Sequence, residues 1–190
     1  MAYLLQKCGI ESAEVVGNVI KESGERDGTH AWNIIKVDGD YYYLDTTRDD
    51  SSNTIQAVKN TGFGFDYFCI TTEELTRTRD TEYVPTDLPI CEATKGNYYY
   101  HNSAVIAEYD LNQLKVIARA AVEAKCKSFT FKCKNKPLYD KVLAEICVSG
   151  QDSYDILKAA AKLDRKIITD SYFYSYDKNL FTITVKFKYK

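Results

Sequence analysis

The stretch Gly28–Asp50, GTHAWNIIKVDGDYYYLDTTRDD, decides how the first half of the chain folds. Two runs rich in β-branched and aromatic residues, about Ala31–Val37 and Asp40–Thr47, flank the dipeptide Asp38-Gly39. That dipeptide favours a two-residue type I′ turn, which needs positive φ at both central positions. Such a turn pairs Val37 with Asp40. By alternation it then places His30, Trp32 and Ile34 on one face with Tyr41, Tyr43 and Asp45. His30 and Asp45 become diagonal neighbours, roughly 7–8 Å apart at the backbone and within side-chain reach. A three-residue loop would send them to opposite faces. A carboxylate on one imidazole nitrogen fixes the tautomer and leaves the other nitrogen to deprotonate a nucleophile. The same pair also serves as a plain structural hydrogen bond at a hairpin mouth, and geometry alone does not choose between the two.

Working outward, Ala2–Lys7 reads as the last turns of a helix stopped by Gly9, and IESAEVVGNVI reads as a strand. KESGERDGT reads as a polar loop, and the segment from Asp49 to Tyr67 as a loop with weak structure. Thr71 and Glu74 have capping-box spacing and open a short helix. YVPTDLPICEATKGN carries two of the three prolines and reads as a boundary near residue 90, dividing the chain into 1–90 and 91–190.

Beyond that boundary, NYYYHNSAVIAEY suggests one or two strands, with His101 in an exposed turn. Asp110 caps a helix whose apolar residues, Leu111, Leu114, Ile117, Ala118, Ala121 and Val122, fall on one face. SFTFKC alternates as a strand. Pro137 starts a helix through about Val148, and Asp152 caps another through Leu163. A closing hairpin ends in a strand expected to bury Phe181, Ile183, Val185, Phe187 and Tyr189 and to expose Thr182, Thr184, Lys186 and Lys188. Sheets with helices on one side make the fold class α+β.

Several pieces together carry a resemblance: Leu4-Leu5, Gly9-Ile10, Val16-Gly17, His30-Ala31-Trp32-Asn33, Asp38-Gly39 through Asp45-Thr46-Thr47, and FDYFCITTEEL after them. This pattern resembles the transglutaminase-like superfamily, the papain-like group that includes bacterial and archaeal cysteine-protease homologues. The resemblance covers roughly residues 1–90, with the remainder as a C-terminal extension. It implies an α+β core with an antiparallel sheet, His30 as catalytic base, Asp45 as its orienter, and Trp32 and Tyr43 as walls of a substrate groove. No cofactor and no metal are expected. The substrate expected for the parent is a protein or peptide, in a secreted or cell-surface setting. Arg48 departs from the pattern, since many members carry tryptophan there.

In that family the nucleophilic cysteine sits at the N-terminus of the helix that ends before Gly-Ile, where unpaired N–H groups and the helix dipole favour a thiolate. Here Met1 falls in the middle of that helix, so the nucleophile is expected a few residues before the chain begins. Cys8 lies at the opposite helix end, about 10 Å from where the thiol belongs at roughly 1.5 Å per residue. Cys69 could approach the site through the glycine-containing loop before it. All six cysteines are scattered without a CxxC pair, and with only two histidines a zinc site has no local signature; buried free thiols are the expectation. The chain alone is therefore expected to be inactive.

The other reading is a non-catalytic module with an aromatic surface from Tyr41–Tyr43 and Tyr98–Tyr100 that holds a peptide or glycan; a third is a spacer domain. A net charge of −2 without charge runs does not call for nucleic acid or an anionic membrane. The N-terminus has no basic n-region and no apolar run approaches the roughly 20 residues that span a bilayer, so the chain as given is expected to be soluble and without an address.

Overall fold

The computed structural model describes residues 1–50, 64–81, 88–150 and 152–190. These fall into two compact units, one running through Asn102 and the other covering Ser103–Lys190, each of α+β type. Among the described residues no helix is long and apolar enough to cross a membrane.

The first unit opens with α1 (Ala2–Lys7), which stops at Gly9 with φ of +79°, where no side chain is needed to fill space. Strands β1 (Glu11–Ile20), β2 (Arg26–Val37) and β3 (Asp40–Leu44) follow as an antiparallel meander. The turn between β2 and β3 has φ of 51° at Asp38 and 90° at Gly39, as a type I′ turn requires. Val37 pairs with Asp40 and Ile34 with Tyr43, the register expected from that turn. Two faces result. Ile35, Tyr42 and Leu44 pack with Cys69 beneath Leu5 of α1, while Val15, Trp32, Ile34 and Tyr43 are buried on the other face.

Two strand limits differ from expectation. β2 begins at Arg26 because it stays paired with β1 down to Ile20, which shortens the polar loop to a turn closed by Lys21 N–H donating to Glu25 O at 2.9 Å. β3 stops at Leu44 instead of Thr47. The Asp45 carboxylate accepts the Arg48 N–H at 3.2 Å and caps α2 (Thr46–Asp49), which takes the threonines out of the ladder.

The unit is completed by β4 (Phe68–Ile70), α3 (Thr72–Thr76), β5 (Arg79–Asp80) and α4 (Tyr98–His101), with sheet order β4-β3-β2-β1-β5. Thr71 and Glu74 form both halves of the capping box at α3. The reading of 51–63 and 82–87 lies outside the described residues. The rest of the expected boundary segment is held by the first unit. Cys91 exchanges backbone and side-chain bonds with Thr72, both at 2.9 Å, and the Asn97 amide donates to Phe68 O at 3.1 Å. Gly96 lies so close to the Tyr42 ring that a Cβ would meet it at 2.9 Å. The division near residue 90 therefore moves to Asn102. Tyr98–His101 is helical and not a strand, because Asn97 caps it through the Tyr99 N–H and overrides the strand preference of three tyrosines.

The second unit contains β6 (Val105–Ile106), α5 (Leu111–Glu123), β7 (Ser128–Cys133), α6 (Lys136–Val142), a π-helical continuation at Leu143–Val148, α7 (Ser153–Ala161), β8 (Ile167–Asp177) and β9 (Thr182–Tyr189). The order is β6-β7-β9-β8; β6 and β7 are parallel and the other pairs antiparallel. Leu114 and Ala118 of α5 join Ile156, Leu157 and Ala160 of α7 over Phe129, Phe131, Ile183, Val185 and Phe187. The expected polar face of β9 is only partly polar in its setting: Thr182 and Thr184 are buried, and the Thr184 hydroxyl is paired with that of Thr130 at 2.8 Å. Tyr189, expected inward, is exposed. Asp152 precedes α7 without a side-chain cap bond and accepts the Tyr109 hydroxyl instead.

Candidate active site

His30 lies on β2 opposite Gly17 of β1, and Asp45 lies just past the end of β3. Alternation along β2 and the type I′ register bring them together. His30 Nε2 donates to Asp45 Oδ2 at 2.8 Å. Facing an ionised carboxylate, which only accepts, a neutral imidazole carries its proton on Nε2 and keeps the lone pair on Nδ1. The His30 side chain keeps 19% of its surface exposed, and that of Asp45 only 1%. The carboxylate is thus fixed inside and the imidazole sits at the rim.

A third residue, which no sequence motif announces, completes the arrangement. Arg79 of β5 donates through Nη2 to the same Asp45 Oδ2 at 2.7 Å. Its Nη1 donates to Thr78 O at 3.1 Å and Thr78 Oγ1 at 3.0 Å. The guanidinium carbon stands 5.9 Å from the Trp32 ring centroid and 5.0 Å from that of Tyr67, within cation–π range. β5 reaches this position because β1 carries glycine at 17. A Cβ there would lie 2.2 Å from Asp80 O and 2.6 Å from Trp32 Cη2. The Val16-Gly17 step thereby lets the Arg79 strand close on the site. Farther out on the rim, Arg26 holds Asp80 through Nε at 3.1 Å and Nη2 at 2.8 Å.

Asp49, at the end of α2, is a second buried carboxyl. Burial pushes its pKa up to about 7, with Asp66 and Asp45 adding to the rise and the Tyr67 N–H, 2.9 Å from Oδ1, opposing it. Among the described residues no group of three or more His, Cys, Asp or Glu could hold a metal ion.

Trp32 and Tyr43, expected as groove walls, are core residues at 2% and 3% exposure. They share the His30 face, where the Arg79 guanidinium lies against the Trp32 ring and Tyr43 sits beside Thr72 and Cys91. The Trp32 ring lies 6.2 Å from the His30 ring, centroid to centroid. The aromatic surface expected from Tyr41–Tyr43 and Tyr98–Tyr100 does not form either, since Tyr42, Tyr43 and Tyr99 are buried. Tyrosines do line up on β8, where Tyr172, Tyr174 and Tyr176 follow one another with centroids 6.3 and 6.4 Å apart.

Among the described residues no thiol bonds to His30. Cys69 packs with Ile35, Tyr42 and Leu44, away from the Trp32 face, and burial pushes its thiol up to about 12. Burial likewise raises Cys91 to about 11 and Cys133 and Cys147, in the second unit, to about 12. Cys8 is exposed at the C-terminal end of α1, and Cys126 is half-buried in the second unit. His101 is exposed on α4. Neither the protein-family models nor the curated proteins contain a match to this chain.

Proposed function

We propose that the chain is the C-terminal part of a transglutaminase-like protein whose parent hydrolyses amide bonds, or transfers their acyl groups, through a cysteine. His30 is the general base, Asp45 orients it, and the attacking thiol comes from outside this chain, which is inactive alone. The 2.8 Å bond from His30 Nε2 to the buried Asp45 carboxylate carries the reading. With its proton on Nε2, the imidazole takes the thiol proton at Nδ1 as sulfur attacks the carbonyl of a protein or peptide. It then returns that proton to the departing amine.

A further observation supports this. The buried thiols of the chain are poor nucleophiles at neutral pH, because burial holds them protonated.

The row of tyrosines on β8 favours a second reading, a module that holds a glycan or peptide in a larger bacterial surface protein. Tyr174 and Tyr176 are exposed and parallel enough to present ring faces.

The test compares this chain with the product of its natural reading frame, including whatever precedes Met1. Peptide hydrolysis and amine incorporation are both measured. Turnover is expected only from the longer product, with a loss of about 10²–10⁴-fold in His30→Ala. Turnover by the present chain, or turnover insensitive to His30→Ala, contradicts the proposal. Glycan binding without turnover favours the second reading.

A further inference from the structure

We infer that Arg79 is a positioning residue for the His30–Asp45 pair, an inference that rests on the proposed role of that pair. A carboxylate that touches only a partly exposed imidazole is free to rotate about its side-chain bonds. Asp45 is denied that freedom by donors from three elements. His30 Nε2 and Arg79 Nη2 share Oδ2 at 2.8 and 2.7 Å, and the Arg48 N–H holds Oδ1 at 3.2 Å. The two side-chain donors approach one oxygen, so the imidazole is aimed at an atom whose place the guanidinium sets.

Both terminal nitrogens of Arg79 donate hydrogen bonds, while its buried Nε has no partner among the described residues. One arm of its fork is tied to Thr78, its plane is flanked by Trp32 and Tyr67, and its side chain is 1% exposed. A lysine could supply the charge but not two arms at once. The guanidinium also balances the Asp45 charge before His30 takes up a proton, so Asp45 acts on His30 chiefly as an orienting acceptor. The other charged groups near the pair are Asp49 and Arg48 on α2 and the Arg26–Asp80 ion pair at the rim.

The experiment reads the tautomer of His30 by ring ¹⁵N shifts at about pH 8. The chain has only two histidines, and exposed His101 serves as the internal control. The wild-type protein is expected to show Nε2–H on His30, with a slowly exchanging ring proton. In Arg79→Gln the Nδ1–H form should appear and the ring proton should exchange about tenfold faster, the loss expected when one charge-assisted bond no longer fixes the acceptor. Arg79→Lys should fall between the two, and it decides the matter alone if Arg79→Gln fails to fold. A merely structural arginine would alter stability and leave the tautomer as in the wild type; that result in a folded variant overturns the inference. A wild-type protein with Nδ1–H on His30 instead defeats the pair itself, and with it the proposed function, so the two failures are distinguishable.

Discussion

Replacing Asp45 by asparagine should destabilise the first unit far more than an exposed ion pair could explain. The side chains of Asp45 and Arg79 are each 1% exposed. Removing one partner of such a pair leaves a buried charge without compensation, at a cost of about 3–5 kcal/mol. Asparagine caps helices about as well as aspartate, so the start of α2 contributes little to the loss. His30 contributes less than Arg79, because it gives up one hydrogen bond at a partly exposed position, about 1–2 kcal/mol. Urea unfolding followed by fluorescence isolates the effect. Trp32 is the chain's single tryptophan and is buried in the first unit, so its emission reports that unit alone. Arg79→Gln added to Asp45→Asn should cost less than about 1 kcal/mol more, because the second change removes the charge that the first left unpaired. An Asp45→Asn protein within about 1 kcal/mol of the wild type, or strict additivity in the double variant, would show that the two groups are not an energetically coupled buried pair.

Gly17→Ala should destabilise the first unit by about 1–3 kcal/mol or more, since the new Cβ meets the Asp80 backbone and not a flexible chain end; the same unfolding assay measures it. Asp49 should make the first unit less stable as pH rises. Its carboxyl keeps a proton in the folded state up to about 7 and loses it near 4 when unfolded, so this stabilisation is full below the unfolded value and fades through pH 4–7. The span corresponds to roughly 4 kcal/mol at most, and Asp49→Asn should flatten the profile and gain stability at pH 8. Alkylation of the native protein, mapped by mass spectrometry, should modify Cys8 first and Cys126 more slowly. Cys69, Cys91, Cys133 and Cys147 should react only after unfolding, as their burial and raised thiols require.

The half of the site that lies within one hairpin was legible in the sequence. Asp38-Gly39 dictates its own turn type, the turn dictates the register, and the register brings His30 to Asp45. What lay outside the hairpin was not legible. Arg79 sits in a two-residue strand far along the chain, with no local pattern to say which carboxylate it meets. The capping role of Asp45 was hidden because Thr46 and Thr47 read equally well as strand. Trp32 and Tyr43 were placed on the correct face, but alternation does not say what lies against that face, which is the Arg79 guanidinium on Trp32 and Thr72 with Cys91 beside Tyr43. The boundary shifted to Asn102 for a similar reason. Prolines and glycines mark a loop, yet Gly96 is there to let the backbone press against Tyr42.

Whether His30 serves a thiol that precedes Met1 can be decided by trapping the acyl-enzyme. The product of the natural reading frame is incubated with a slowly turned-over acyl donor, quenched in acid and digested, and the modified cysteine is located by mass spectrometry. An acyl group is expected on a cysteine preceding Met1, formed far more slowly in His30→Ala. An adduct on any of the six cysteines of the present chain, or equal labelling with and without His30, would contradict the proposed chemistry.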